Sequence, residues 1–223
     1  MAGSVEYQRE VTRLLLSVVD GAGFALAGSG AIREHGVTSR PTEDVDLFTS
    51  VVGVESFGLA VERGVATLQE HGYRVVQVRR ADQFARLDVT APDGRVLDVD
   101  FGIDWREHEP IRFDVGPVLA LPDAVANKVG ALYSRAEVRD YLDVDSIRRA
   151  GVFTDEQLLG LASEHDAGFD RLVFADQLSR VRELMLEEVE QYGVDAAQLV
   201  GVKERLTVWS TRLRGGSPSR GVC

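Results

Sequence analysis

The most constraining feature of this chain is a glycine-flanked serine followed, a short distance later, by two aspartates at alternate positions. Gly28, Ser29 and Gly30 interrupt an apolar segment, and Asp44 and Asp46 lie in the sequence DVDLF. Glycine lets the backbone turn tightly without a Cβ clash. Alternate side chains of a β-strand share a face, so the two carboxylates, with Cα atoms roughly 6–7 Å apart, can share one Mg²⁺ site. The segment predicts a strand, a glycine turn, a short helix and a second strand that carries two carboxylates.

The serine is predicted to lie beside a phosphate-binding position. A helix that begins at Ala31 would place Ser29 at its start, where unpaired backbone N–H groups favour an anion. Taken separately, Gly-Ser-Gly is usually a turn and Asp-x-Asp is usually a solvated strand end. Their order and spacing favour function, because one short helix and one turn bring the chain back beside the glycines.

A second pair of carboxylates occurs in the sequence VLDVDFG. Asp98 and Asp100 alternate with Leu97, Val99 and Phe101, so the two aspartates lie on the face opposite the apolar residues. Either aspartate can supply a third carboxylate to the site. The alternative is an ordinary half-exposed strand in an acidic protein.

Candidate charged residues continue in the segment NKVGALYSRAEVRDYLDVD. Lys128 and Arg135 are seven positions apart and lie on one face of a predicted helix, where cations can neutralise a triphosphate or form a solvated basic stripe. Asp140 and Asp143 also share a helix face. Asp140 can orient Lys128, contact a nucleotide, or act as an acid near a helix N-terminus.

Hydrophobic periodicity predicts an α+β fold, in which a mixed β-sheet with flanking helices precedes a C-terminal helical bundle. We expect domains at 1–120 and 121–214 and a disordered tail at 215–223. The predicted helices span residues 5–20 and 55–72, Thr154 to about His165 with a capping box at its start, and 169–185 and 199–213. In the last two, apolar residues recur at helical spacing. The predicted strands are 73–78, 84–90 and 95–101, with a turn at 92–94. His35 and His71 are interpreted as helix-end residues.

Composition narrows the functional classes. The chain has 223 residues, 44% of them hydrophobic, so it can bury a sizeable core. A net charge of −11 argues against nonspecific coating of nucleic acid, although a local basic patch can still hold an RNA end. Cys223 is the only cysteine, which suits a reducing cytoplasm, and no apolar run has transmembrane length. We therefore expect a cytoplasmic protein with no membrane partner.

These motifs together resemble the nucleotidyltransferase superfamily, which has a DNA polymerase β-like fold. Within it the chain most resembles the AbiEii/AbiGii type IV toxin family, which includes MenT-like toxins. The resemblance runs from about Phe24 to Asp143 and rests on three motifs: Arg40, Thr42, Asp44 and Asp46 in the first, Lys128, Ala131 and Arg135 in the second, and Arg139, Asp140, Tyr141 and Asp143 in the third.

The resemblance implies a magnesium-dependent enzyme, with two ions expected, that moves a nucleoside monophosphate from an NTP to a hydroxyl acceptor. The implied catalytic residues are Asp44, Asp46, Asp100 or Asp98, Lys128 and Asp140. The implied metal ligands are Asp44, Asp46 and Asp100, and the implied nucleotide-binding residues are Gly28, Ser29, Gly30, Arg40, Thr42, Lys128 and Arg135. Asp100 is preferred over Asp98 as the general base, because the fold usually presents one aspartate followed by an apolar residue there.

The resemblance further implies a tRNA 3′ end as acceptor, growth inhibition as the effect, and a separately encoded antitoxin as partner. Candidate RNA contacts are Arg139, Arg148, Arg149, Arg212 and Arg214. Two alternatives stay open: an enzyme of the same fold that modifies small molecules such as aminoglycosides, and a nucleotide-binding module without catalysis.

Overall fold

A computed structural model describes residues 2–42, 44–51 and 53–215 of the chain. Two compact units make up the structure, one that runs to Ala124 and one that begins at Val125. No helix within the described ranges is long and apolar enough to cross a membrane. The tail predicted at 215–223 lies outside these ranges except for Gly215, which ends the last helix.

Among its described residues, the first unit contains three complete α-helices and seven strands. In chain order they are α1 (Ala2–Val19), β1 (Ala25–Leu26), α2 (Gly28–Glu34), β2 (Asp44–Thr49), α3 (Val54–Glu70), β3 (Arg74–Ala81), β4 (Phe84–Thr90), β5 (Val96–Ile103), β6 (Ile111–Phe113) and β7 (Gly116–Val118). The strands form one sheet in the order β3-β4-β5-β2-β1-β7-β6. The β2–β5 and β1–β7 pairs are parallel and the other pairs antiparallel. This mixed sheet with flanking helices confirms the predicted α+β class.

One face of the sheet is the core of the first unit. Val45 and Leu47 of β2 and Val99 of β5 are at most 2% exposed, and they belong to one cluster with Leu15 of α1 and Val61 of α3. Full burial of each such side chain stabilises the fold by about 1.5–3 kcal/mol. Because strand residues alternate, burying this set leaves the intervening aspartates on the opposite face.

The second unit is helical. Its elements are α4 (Leu121–Ser134, which begins before the boundary), α5 (Val138–Ala150), α6 (Asp155–His165), α7 (Arg171–Ser179), α8 (Leu186–Val189) and α9 (Ala196–Gly215). The predicted capping box of α6 is present, since Thr154 Oγ1 accepts from the Gln157 backbone N–H and the Gln157 side chain accepts from Thr154 N. The two histidines interpreted as helix-end residues, His35 and His71, follow the last residues of α2 and α3.

Two local predictions were wrong. The helix predicted over 169–185 ends at Ser179, continues as a 3₁₀ segment over Arg180–Glu183, and breaks at Leu184, where ψ is 135°. A 3₁₀ turn also aligns side chains at i and i+3, so apolar spacing alone does not reveal this change. The short pair β6–β7 was also missed, because three-residue strands are too brief for alternation to show.

Candidate active site

Four aspartates form a two-by-two array on the polar face of the sheet. The parallel register of β2 and β5 sets Asp44 beside Asp98 and Asp46 beside Asp100. Neighbouring strands lie about 4.8 Å apart, which is closer than the roughly 6–7 Å between alternate residues along a strand. The structure therefore places both carboxylate pairs predicted from the sequence next to each other, with Asp100 only 7% exposed.

Strand β4 extends this array with two residues that sequence reasoning missed. Its antiparallel register sets Arg86 opposite Asp100 and Asp88 opposite Asp98. Arg86 donates two hydrogen bonds to Asp100, from Nε to Oδ1 at 2.7 Å and from Nη2 to Oδ2 at 2.5 Å. This hydrogen-bonded pairing raises the pKa of Arg86, with further contributions from Asp98 and Asp44. Alternation in the sequence FARLDVT puts Arg86 and Asp88 on the same face of a strand. It does not show which other strand lies beside that strand.

Asp98 and Asp100 have different surroundings. Burial, reinforced by the nearby charge of Asp88, raises the pKa of the Asp98 carboxyl above its ordinary value. Asp100 is instead fixed by the guanidinium of Arg86. A raised pKa favours proton acceptance by a carboxylate, so Asp98 stays a candidate base alongside Asp100.

Gly28 is in direct contact with one carboxylate of the array. Its φ is +56°, and a Cβ added there would lie 1.8 Å from Asp46 Oδ2. The backbone N–H of Ala27 also donates to Asp46 O at 2.8 Å. Gly30 has a packing role, since an added Cβ would approach Leu26 Cδ1 to 2.9 Å. The first turn of α2 and Asp46 thus fit together only with glycine at position 28.

Ser29 lies within the first turn of its helix, because the helix begins three residues earlier than predicted. Helix α2 begins at Gly28 rather than Ala31, after Ala27, whose backbone is extended and whose side chain provides no cap. No Ser, Thr, Asp or Asn therefore marks the start in the sequence. Ser29 is buried, and its Oγ accepts a 2.6 Å hydrogen bond from Arg40 Nη2. The predicted nucleotide-binding pair Ser29 and Arg40 is thus brought together.

Thr42 is buried in a polar network. Its hydroxyl donates to Gln8 Oε1 at 2.9 Å and accepts from Arg33 Nη1 at 3.0 Å. Its carbonyl accepts from Gln8 Nε2 at 2.6 Å. These contacts join α1 and α2 to the segment that precedes β2; a contact of Thr42 with nucleotide stays a prediction.

Lys128 forms an ion pair with Asp143. Lys128 Nζ of α4 lies 2.8 Å from Asp143 Oδ2 of α5, and the two side chains are 8% and 0% exposed. A buried cation of this kind is stable only beside a carboxylate. Orienting Lys128 is one of the roles that the sequence predicts for Asp140, whereas in the structure it is Asp143 that forms an ion pair with Lys128.

Asp140 is fully buried and serves the start of α5. It accepts two hydrogen bonds from Arg135, from Nε at 3.0 Å and from Nη2 at 2.9 Å. It also accepts from the backbone N–H of Glu137 at 3.0 Å, which completes a capping box. The helix-capping alternative for Asp140 therefore holds, because an acid at the third position of a helix can bond back to the N-cap.

Some arginines offered as RNA contacts are engaged within the second unit. Arg148 forms two hydrogen bonds with Asp155, at 2.7 and 2.9 Å, and its guanidinium lies 4.3 Å from the centre of the Trp209 ring. Arg214 donates to Asp176 at 2.7 Å. Arg148, with a side chain only 16% exposed, packs the helical unit.

The donor chemistry of the aspartate array fits Mg²⁺, which prefers carboxylate oxygens and bound water. Within the described ranges, no group of three or more His, Cys, Asp or Glu side chains is already arranged around a common metal position. In the structure the Asp100 carboxylate faces the Arg86 guanidinium.

Comparison with solved structures shows the same fold in chains of low sequence identity. JHP933 from Helicobacter pylori superposes with a TM-score of 0.57 at 16% identity, covering 95% of this chain and 92% of that one. MenT4, a nucleotidyltransferase toxin from Mycobacterium tuberculosis, superposes with a TM-score of 0.53 at 16% identity, covering 93% and 84%. No curated protein sequence matches significantly.

A comparison with protein families identifies the family of this chain. The sequence pattern described as "Nucleotidyl transferase AbiEii toxin, Type IV TA system" matches residues 12–207. This range includes both aspartate pairs, the Gly28–Gly30 turn and Lys128 with Asp143. The chain therefore belongs to the AbiEii family of nucleotidyltransferase toxins of type IV toxin–antitoxin systems.

Proposed function

We propose that this nucleotidyltransferase is magnesium-dependent and that its acceptor is the 3′ end of a tRNA. The observation that carries the proposal is the array of Asp44, Asp46, Asp98 and Asp100 directly beside the Gly28 turn. Four carboxylates on adjacent strands repel one another, and such an arrangement is typical of a site that receives cations.

Asp44, Asp46 and Asp100 would hold the ions. When bound, these ions would supply positive charge that neutralises the charge developing on the phosphates during in-line displacement. The protein side chains fix the orientation: Gly28 keeps the start of α2 against Asp46, and Thr42 anchors the segment before Asp44.

The acceptor hydroxyl oxygen would form a bond to the α-phosphorus of the NTP. The bond between that phosphorus and the oxygen bridging to the β-phosphate would break, and pyrophosphate would leave. Asp100, or Asp98 with its raised pKa, would take the proton from the hydroxyl as general base.

Binding of the phosphates is assigned to the first turn of α2. Ser29 and nearby backbone N–H groups would hold the β- and γ-phosphates, since the first N–H groups of a helix lack intrahelical partners. Arg40 already contacts Ser29 Oγ and would add positive charge there. By resemblance, Lys128 would stabilise the departing pyrophosphate, and Arg135 would add to the charge.

A nucleotide added to a tRNA 3′ end would block the hydroxyl needed for aminoacylation. Modest turnover would then deplete charged tRNA and slow growth, and a separately encoded antitoxin would oppose it. This proposal joins the family's toxin assignment to a specific acceptor.

The decisive experiment incubates the purified protein with each labelled NTP, Mg²⁺ and total RNA, and then sizes the labelled products. We expect labelled tRNA with wild-type protein and none with Asp46→Ala, while Asp93→Ala, a change in the exposed hairpin turn, transfers normally.

A comparison of Asp100→Asn with Asp98→Asn identifies the general base. The base is the aspartate whose replacement abolishes turnover but leaves Mg²⁺–NTP binding intact. Full activity of a folded Asp46→Ala variant would contradict the metal assignment. If a small molecule is labelled and no RNA is, the result would contradict RNA as the acceptor and favour a small-molecule acceptor.

A further inference from the structure

The edge strand β3 contains a β-bulge that changes which way one arginine faces. Gln77 pairs with Leu87, but the next pair is Arg79 with Arg86, so Val78 is an extra residue on β3. Without the extra residue, alternation would put Arg79 on the same face as Gln77 and the core residue Leu87. Bulges often re-aim a side chain in this way. Here the bulge puts Arg79 on the face that carries the aspartate array.

The result is a row across four neighbouring strands in which two acids are followed by two bases. Asp46 of β2 pairs with Asp100 of β5, Asp100 with Arg86 of β4, and Arg86 with Arg79 of β3. At about 4.8 Å per strand, the Cα of Arg79 lies about 10 Å from that of Asp100. Positive charge therefore begins directly beside the carboxylates and continues to the edge of the sheet.

The side chain of Arg79 is accessible to a ligand. It is exposed, and its guanidinium lies 5.3 Å from the centre of the Phe84 ring, which supports it from one side. No carboxylate among the described residues forms an ion pair with it. Arg74, near the other end of β3, is exposed on the same face, where its Nη2 donates to Thr90 Oγ1 at 3.2 Å.

We propose that the β3–β4 edge holds the single-stranded 3′ end of the RNA acceptor, with Arg79 and Arg74 contacting its phosphates. This rests on the proposed function, because it takes the acceptor to be RNA. Arginine suits phosphate recognition through its planar fork of donors. In a chain of net charge −11, a basic edge continuous with the aspartate array concentrates attraction for a polyanion where its terminal hydroxyl must react.

The chain offers a matched control at the next position. Arg80 is an exposed arginine on the same strand, but it faces the other way, and its Nη2 donates to Glu62 of α3 at 3.1 Å. Arg79→Ala and Arg80→Ala therefore remove the same charge from adjacent positions on opposite faces of the sheet.

The test measures binding of a fluorescent single-stranded RNA 3′ oligonucleotide by anisotropy over a range of salt concentrations. Arg79→Ala should weaken binding about fivefold at 0.1 M salt and lower the salt slope by about 0.7, the values for one single-strand phosphate contact. Arg80→Ala should bind as wild type does. In transfer assays Arg79→Ala should raise the KM for RNA, while kcat and the affinity for Mg²⁺–NTP stay at their wild-type values. The conservative variant Arg79→Lys should have a KM for RNA close to that of wild type.

Equal RNA affinity of Arg79→Ala and wild type, or an equal loss in Arg80→Ala, overturns this inference. A loss of binding to purified antitoxin, with RNA affinity intact, overturns it in favour of a protein partner. Failure of the proposed function looks different, because wild-type protein would then neither bind RNA nor extend it.

Discussion

Arg86 binds both carboxylate oxygens of Asp100, at 2.7 and 2.5 Å, across two adjacent antiparallel strands. The arginine side chain is 45% exposed and the aspartate side chain 9% exposed. In this arrangement the guanidinium provides the positive charge that a metal ion would otherwise bring to Asp100. We therefore expect Arg86 to compete with a bound metal ion for this carboxylate.

Replacing Arg86 is expected to strengthen metal binding. Arg86→Ala should bind Mn²⁺ about three- to tenfold more tightly in the absence of nucleotide, consistent with the ~1 kcal/mol typical of a partly exposed ion pair. Isothermal titration calorimetry measures this directly. Arg95→Ala, which removes an exposed arginine paired with Asp93, serves as the control. Unchanged or weaker Mn²⁺ binding by Arg86→Ala would show that the two cations do not compete.

Gly28→Ala is expected to abolish transfer. The added methyl would lie 1.8 Å from Asp46 Oδ2 in a left-handed backbone conformation, and displacing a reacting group by about 1 Å can cost about 100-fold in rate. Gly36→Ala is the matched control, since φ is +74° there but nothing lies within 4 Å of the added Cβ. It should lose about 1–2 kcal/mol of stability and keep its activity. Transfer rates and thermal unfolding of both variants are the measurements, and normal turnover by Gly28→Ala would refute the contact.

Asp98 should make the metal-free protein less stable as the pH rises. Its pKa is raised in the folded state, mainly by burial, so the native protein binds this proton more tightly than the unfolded chain. The stabilising contribution is complete below the unfolded pKa of about 3.9 and is lost as the pH rises through the folded pKa. Asp98→Asn should therefore raise Tm at pH 7 in EDTA, and the gain should vanish below about pH 4.

Asp93 provides a control of the opposite sign. Hydrogen bonds from Arg95 lower its pKa, so Asp93→Asn should not raise Tm at pH 7. Thermal unfolding of both variants between about pH 3.5 and pH 8 tests this comparison. A Tm gain for Asp98→Asn that persists unchanged at acidic pH would mean that ionisation of Asp98 is not the cause.

The buried pair Lys128–Asp143 allows its effects on stability and on catalysis to be separated. Asp143→Ala should cost about 3–5 kcal/mol, because it removes the carboxylate beside a buried ammonium. The double variant Lys128→Met with Asp143→Leu should recover most of that stability. If Lys128 acts on pyrophosphate, the double variant will fold and still fail to transfer. A stable double variant with normal kcat would restrict the pair to a structural role.

Alternation along the chain was sufficient to predict which aspartates share a face. The pairs Asp44 with Asp46 and Asp98 with Asp100 needed only the period of a β-strand, since core residues such as Val45 and Val99 had to face inward. Turn and cap chemistry similarly predicted the hairpin at 92–94, where Gly94 has φ +89°, and the start of α6. These are local properties, which neighbouring residues determine.

Tertiary structure decided which of these residues meet. A period of two assigns a side chain to a face but does not select the neighbouring strand, so the placement of β5 between β2 and β4 could not be read from the sequence. That strand order joins the two aspartate pairs and brings Arg86 to Asp100. The bulge at Val78 likewise depends on how β3 pairs with β4, and it reverses the face that simple alternation gives Arg79. The sequence by itself thus determined the two aspartate pairs of the candidate site, while long-range strand pairing decided that Arg86, Asp88 and Arg79 lie beside them.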